Sequence, residues 1–466
     1  MSAGGSKSAW ASAAPAADWS GSDTSTECDF VTKDDFRAQS VEFGARGRGA
    51  DSAAGLLGGC APGSSGMSDA SDASCSSSSS TSTSASSGIW DAAPPVVRTP
   101  YSVAAGDGVV LRLTRGVCPD AAAPKRAHPV LLVPGLASAA DATWDITPEL
   151  SMFDHLARQG YDVWRVDLRG NGNSDAPHAK ISAPGWCVDD HLFKDLPVVV
   201  QLVLDETGAQ QIHWIGHSMG GMLATGALSL QGFLSRHIRS VTMLGSGCFG
   251  AGSWHSALKP VLLGLCLLGF PGGFASGLYS RLVGTWASLW PIETLFYWRS
   301  NTEPEIGKKL MGGCFRYIPR GLVTQFMESM NTAEGLTTVD GQFRYCDPKV
   351  LQHVTTPVLG ICGDWDLFCP APGGLRTVQH YGGAHRRFVF LGPSYGTAKD
   401  HYGHFDVIMG KNAREEVWPY ITSFLSDHDA PVISGLADLS PEELAEAAAE
   451  AEALAAPRRA AAVAGA

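Results

Sequence analysis

The residues best suited to chemistry in this chain are Gly216-His217-Ser218-Met219-Gly220, a G-x-S-x-G pentapeptide between a strand-like run and a helix-like run. A serine hydroxyl is a weak nucleophile until a base reaches it, and a sharp strand-to-helix turn lifts the side chain clear of its neighbours. Ile212-His213-Trp214-Ile215 reads as the buried strand, and Gly221-Met222-Leu223-Ala224-Thr225 reads as the start of the helix. Gly216 and Gly220 present no Cβ to the turn. The helix aims its free N–H groups and the positive end of its dipole at the place where an oxyanion would form. The plain alternative is a serine in an ordinary tight turn, because a chain with 54 glycines meets such a pattern by chance.

A nucleophilic serine needs a histidine base and the base needs an acid, in the chain order Ser, Asp or Glu, His on this kind of sheet. Gly363-Asp364-Trp365-Asp366 follows directly on an apolar run, so both carboxylates fall in a loop at a strand end. Asp366 is the preferred acid, since one more residue from the strand lets its carboxylate turn inward to an imidazole. Asp364 is the alternative, with capping or turn-making as its structural role. His401 and His404 both lie in the loop after the last apolar strand, whereas His380 and His385 precede that strand. His404 is preferred because Gly403 permits a tight turn before it. His217, adjacent to the serine, is expected to pack, because neighbouring side chains on a turn point apart. Oxyanion donors are expected to be the backbone N–H groups of Met219 and of Leu136, the latter in Pro134-Gly135-Leu136 after the run Val130 to Val133. A simple Pro-Gly turn is the other reading of that loop.

Strand-like and helix-like segments alternate around these residues. Val109 to Leu113 reads as the second arm of a hairpin, Val130-Leu131-Leu132-Val133 as a strand buried on both faces, and Tyr161 to Val166 as the next strand. A helix is expected from Pro148 to Gln159, with Thr147 as N-cap and Gly160 as its stop. Another is expected to open at Asp195-Leu196-Pro197 and close at Gly208, burying Leu196, Val199, Val200, Val203 and Leu204. Strands follow at Val241 to Leu244, Pro357 to Cys362 and Phe388 to Leu391, and a final helix runs through Val417 to Leu425. This alternation predicts an α/β domain with a mostly parallel sheet flanked by helices on both faces.

Composition divides the 466 residues unevenly. Residues 1–97 are rich in Ser, Ala and Gly, and such a segment buries too little apolar surface to offset the entropy of ordering it. Residues 98–425 carry the periodic apolar pattern, with an insert at about 248–350, and 426–466 form an Ala/Glu-rich tail. The net charge of −12 and the lack of a long Lys/Arg run argue against a nucleic-acid partner. Eleven cysteines are scattered without C-x-x-C pairs or the histidine spacing of a zinc site, so no metal is expected and a reduced compartment is. No apolar stretch near the start suits a secretory signal; the acid-free first 17 residues fit a plastid or mitochondrial transit peptide, whereas Asp18, Asp23, Glu27 and Asp29 and the lack of arginine before Arg37 weigh against one. The expected location is intracellular, cytoplasmic or plastid.

On Pro134-Gly135-Leu136, Gly160-Tyr161-Asp162-Val163-Trp164, Arg169-Gly170-Asn171, Asp195-Leu196-Pro197, Gly216-His217-Ser218-Met219-Gly220 and Gly403-His404-Phe405-Asp406, taken in order, the chain resembles the α/β-hydrolase superfamily and within it the acid-lipase branch. The likeness spans Tyr101 to Leu425, except the insert. It implies the α/β-hydrolase fold, a Ser218, Asp366, His404 triad and hydrolysis of carboxylic esters, with no cofactor. Two positions depart from the branch: Pro134 stands where His is usual, and Met219 where Gln is usual. Both oxyanion donors are backbone groups, so the departures bear on substrate choice.

The insert reads as an apolar cap. Pro260 to Ser280 runs 21 residues without a charge, but Pro271-Gly272-Gly273 breaks it, and a membrane span there would separate Ser218 from His404. Trp286, Trp290 and Phe296 stand in an aromatic-rich stretch that either packs the cap onto the sheet or lines an acyl-binding tunnel, with a surface able to touch a membrane. The expected ligand is a small-molecule or lipid ester. Two rival readings are a lipid acyltransferase, for which His401 to Asp406 fits H-x-x-x-x-D, and a non-catalytic scaffold on the same fold.

Overall fold

The structure, a computed structural model, describes residues 29–30, 94–176, 185–250, 292–316, 318–330 and 332–429. Its frame is a nine-stranded sheet made of β1 (Asp29–Phe30), β2 (Val97–Ala104), β3 (Val110–Val117), β4 (Val130–Val133), β5 (Val163–Asp167), β6 (Ile212–His217), β7 (Ile238–Leu244), β8 (Val358–Gly363) and β9 (Arg386–Leu391). The order across the sheet is β1-β9-β8-β7-β6-β4-β5-β3-β2. Only β2 and β3 break the parallel run: they form an antiparallel hairpin, and β3 lies antiparallel to β5. This is the α/β-hydrolase fold.

The continuous apolar runs are explained by cover on both faces. Along β4 the side chains alternate: Leu131 and Val133 enter one core with the helices Leu196–Thr207, Met219–Ser229 and Ala371–Gln379. Val130 and Leu132 enter the other, with the helices Met152–Arg158 and Trp418–Asp427. All four are fully buried, each worth roughly 1.5–3 kcal/mol of hydrophobic transfer. A single slip in register would leave each face with the wrong partners.

Two helices differ from the sequence reading. The helix expected from Pro148 to Gln159 is split: Thr147 caps a 3₁₀ turn, Pro148–Leu150, and Ser151 then caps Met152–Arg158 by accepting the Asp154 N–H at 2.9 Å. The break occurs because the Ser151 hydroxyl also donates to Asp145 at 2.6 Å, which holds residue 151 in an extended conformation. The second helix does close at Gly208, but Asp195 does not start it. Helical backbone begins at Val188 and passes through a π turn at His191–Asp195, and the Asp195 carboxylate is taken by Arg169 and His191.

Of the expected segments, 1–97 lies outside the described residues apart from Asp29–Phe30 and residues 94–97, the last of which opens β2. The tail is described only to Asp429, which is buried. The uncharged run 260–280 lies outside the described residues. Among the described residues no helix is long and apolar enough to cross a membrane.

Candidate active site

Ser218 stands where β6 ends and the helix Met219–Ser229 begins, with φ 52° and ψ −120°. A non-glycine residue with positive φ is strained, and here the surroundings hold it. Its N–H donates to Leu244 O at the end of β7 (2.9 Å), and its carbonyl accepts the Ser246 hydroxyl at 2.7 Å. The flanking glycines are required by close approach. A Cβ on Gly216 would lie 2.3 Å from the Gly220 backbone, and one on Gly220 would lie 2.2 Å from Val133 O. The serine turn is therefore pressed against the end of β4 and the loop that follows it.

That loop holds Leu136. Gly135 borders the nucleophile, a Cβ built there meeting Ser218 Cβ at 3.0 Å and Oγ at 3.5 Å. The chain then turns through Ala137 at φ 54°, and Ser138 N donates back to Gly135 O at 3.2 Å. Among the described residues, neither the Leu136 N–H nor the Met219 N–H is donated to another group. Both are therefore free to serve an incoming oxygen.

Asp366 and His404 meet beside the end of β7. His404 Nδ1 lies 2.9 and 3.0 Å from the two oxygens of Asp366, and both side chains are buried. Asp366 is oriented by the N–H groups of Phe368 (2.9 Å) and Cys369 (2.7 Å), which leaves its charge aimed at the imidazole. The pair touches the end of β7, since a Cβ on Gly245 would sit 2.9 Å from Asp366 Oδ2 and 3.4 Å from His404 Nδ1. Asp364 instead pairs with His401, Oδ2 to Nδ1 at 2.6 Å, on a more exposed face. The two acids that sequence left as alternatives thus serve two different histidines.

His217 does more than pack. Its Nε2 donates to the His404 carbonyl at 2.9 Å, while its Nδ1 is buried with no partner among the described residues. Burial, and next the neighbouring His404, hold its pKa well below the ordinary histidine value, so the ring is neutral. No sequence signal gives this bond, because its partner is a backbone atom 187 positions away. Cys369 is a second neighbour that sequence missed: its N–H holds Asp366, and burial raises the pKa of its thiol well above the usual value.

The described half of the insert clamps these loops. Phe405 N donates to Phe296 O at 2.8 Å, Trp298 N donates to Asp406 Oδ2 at 2.9 Å, and Arg316 N donates to Ala137 O at 2.9 Å. Phe296 is half-buried against Phe315 and Phe368, and Phe368 in turn packs on the His404 ring at 5.1 Å. Trp286 and Trp290 lie outside the described residues. His401 and Asp406 do not face each other: His401 engages Asp364, and Asp406 is buried, accepting the N–H groups of Gly403 and Trp298. A cavity of about 390 Å³ beside Tyr101, Arg112, Arg165 and Asp167 shares no lining residue with the serine site.

The chain is similar to known proteins over part of its length. Residues 128–265 match a family model described as alpha/beta hydrolase fold. The match contains Leu136, Ser218 and Met219 but ends before Asp366 and His404. The chain is 34% identical to human lipase member K over 30% of its own length and 36% of that protein. It is 32% identical to a tear acid lipase-like protein of Mesocricetus auratus (31% and 38%) and 31% identical to rat gastric triacylglycerol lipase (30% and 37%). It thus spans somewhat over a third of the length of these relatives. Among solved structures, a thermophilic esterase from Thermogutta terrifontis covers 71% of this chain with 99% of its own, at 16% identity and a TM-score of 0.47.

These relatives correct the expected location. Proteins named for tears and for the stomach overturn the intracellular, cytoplasmic or plastid expectation. The cysteine argument misled for a physical reason. Six of the seven described free cysteines are buried, where a thiol packs as a small apolar group, so their lack of partners reports core packing and not redox compartment.

Proposed function

We propose that this chain, which has the α/β-hydrolase fold and resembles the acid-lipase branch, is a serine hydrolase that cleaves carboxylic esters with apolar or lipidic acyl groups. The observation that carries the reading is the buried His404–Asp366 pair, set against the same strand end that holds the strained Ser218 turn. In this reading Asp366 accepts the Nδ1–H of His404, which leaves Nε2 as the base that takes the Ser218 proton. Ser218 Oγ attacks the ester carbonyl, and the oxyanion is received by the N–H groups of Met219 and Leu136. His404 then protonates the departing alcohol, activates water, and the acid leaves. The relatives' names support a lipid ester as substrate, and the aromatic group of Phe296, Phe315 and Phe368 beside His404 supports an apolar acyl chain.

Labelling with a fluorophosphonate probe tests it. The wild-type chain is expected to be modified at Ser218 and Ser218→Ala not at all. Absence of labelling in the wild type, or equal labelling of both, would favour a non-catalytic scaffold. Products analysed with and without an added alcohol acceptor separate hydrolysis from acyl transfer.

A further inference from the structure

At the opposite end of the sheet from Ser218, three potential metal ligands from distant parts of the chain converge. His128 lies just ahead of β4, His213 is the second residue of β6, and Asp429 follows the last helix, Trp418–Asp427. Asp429 Oδ1 lies 2.6 Å from His128 Nδ1 and 3.5 Å from His213 Nε2, and the three ligand atoms all fall within 4.8 Å of one another. We propose that His128, His213 and Asp429 form a binding site for one divalent transition-metal ion of the zinc class.

Four observations carry this. First, the donor set of two imidazoles and one carboxylate suits zinc, cobalt, nickel or copper, whereas calcium and magnesium prefer oxygen alone. Second, the spacing fits. A tetrahedral ion with bonds of about 2.0–2.1 Å holds its ligand atoms roughly 3.3 Å apart, and the two measured separations to Asp429 bracket that value. The His128 ring, which keeps 19% of its side chain exposed, is the one free to adjust. Third, the ligands are already oriented from behind. Asp429 accepts the N–H groups of Ala127 (3.2 Å) and His128 (3.0 Å), and His213 Nδ1 is fixed by Ser240 Oγ at 2.7 Å.

The fourth observation is a donor atom left over at the centre of the group. His213 is fully buried, and its Nε2 meets the geometry of a hydrogen bond with no described group, the Asp429 carboxylate standing 3.5 Å away in a loose contact. The hydroxyl of Tyr161, whose ring meets His213 edge-on at 6.0 Å, is also buried without a partner among the described residues. An ion with a water in its fourth position supplies what the orphaned nitrogen lacks. Arg239 is the neighbouring cation, its guanidinium donating to His428 O at 2.8 Å, and it tempers the affinity. The site is structural in kind: it would lock the segment after the last described helix to the starts of two central strands, on the side of the sheet away from the serine.

Titration of the EDTA-stripped full chain with zinc chloride, followed by calorimetry, tests the proposal. One equivalent is expected to bind saturably, and a hundredfold excess over the dissociation constant is expected to raise the melting temperature by about 5 °C. His128→Ala and Asp429→Asn are each expected to weaken zinc binding on the order of 100-fold, while Ser218→Ala leaves it unchanged. His128→Ala decides the matter if Asp429→Asn does not fold, because its side chain is partly exposed. No saturable binding in the wild type, or binding that His128→Ala leaves intact, overturns the site. Esterase activity is not read in any arm, so the outcome is independent of the proposed function.

Discussion

Two histidine–aspartate pairs stand side by side in this molecule, built from the same two loops and the same chemistry, and only one lies against the β7 end that also holds the serine turn. His404–Asp366 and His401–Asp364 differ by two residues on the acid loop and three on the histidine loop. The first is dry, with side-chain exposures of 6% and 0%, and its carboxylate is held by two further N–H groups. The second keeps 35% of its histidine in solvent between Trp298 and Trp365. What a His–Asp pair can do is therefore set by burial and by what lies beyond the imidazole. In the first pair that neighbour is the Ser218 turn; in the second it is a pair of indole rings at the surface.

The comparison is broken most directly at the nucleophile. Ser218→Ala is expected to lower kcat for ester hydrolysis by about 10⁶-fold, with binding of an apolar ester retained. Next comes the acid: Asp366→Asn leaves the shape intact but favours the wrong tautomer of His404, for an expected loss of about 10⁴-fold in kcat. Both are read by steady-state kinetics on a chromogenic ester. If Asp364→Asn proves the more damaging of the two acids, the pairs have been assigned the wrong way round.

A third carboxylate on the histidine loop sharpens the contrast by acting on stability. Asp406 is completely buried, and its pKa is pushed up to about 7 chiefly by burial, against the pull of the Gly403 and Trp298 N–H groups. Between about pH 4 and 7 the folded protein keeps a proton that an unfolded aspartate has released, so stability falls as pH rises through that window. The fall from this one group is at most on the order of 4 kcal/mol. Asp406→Asn cannot titrate, so its urea midpoint should lose that component of the decline, and the gap between the two proteins should narrow or reverse towards alkaline pH. Parallel curves would mean that Asp406 is ionised in the fold.

His217 tests whether the dry pair also depends on a backbone anchor. Its Nε2–H holds the carbonyl of His404, so His217→Phe is expected to cost about tenfold in kcat with little change in KM. A positioning role predicts partial rescue by His217→Gln, whose amide can still donate. A purely structural role predicts lower stability with unchanged kcat in the protein that remains folded.

How much of this was readable beforehand depended on the range of the forces involved. The serine turn and the sheet around it were legible because their cause is local: apolar runs four to six residues long, glycines at fixed offsets, and a helix directly behind. The preference for Asp366 over Asp364 rested on reach from a strand end; the fold gives each acid its own histidine, and the kinetics of the two Asn variants would tell them apart. The rest lies in long-range partners. Ser151 breaks a helix through Asp145, Asp195 serves Arg169 instead of a helix end, and His217 finds a carbonyl in a loop that sequence places far away. The His128, His213 and Asp429 group spans some 300 positions, so no spacing rule for metal sites could register it.

The smallest effect is the one that closes the comparison. Asp364→Asn removes the charge from the partly exposed pair, where water screens the interaction, so a stability loss of no more than about 1 kcal/mol is expected. Activity should stay within about threefold of wild type, because His401 is set between two indole rings in the partly exposed pair and not against the β7 end that holds the serine turn. The expectation is sharp because Asp364 Oδ1 also accepts the Tyr402 N–H at 3.0 Å, two residues before His404. A larger loss, restored by Asp364→Glu but not by Asn, would show the charge itself tightening that turn. The exposed pair would then be a support for the buried one, and the difference between them would be one of distance from the serine and not of role.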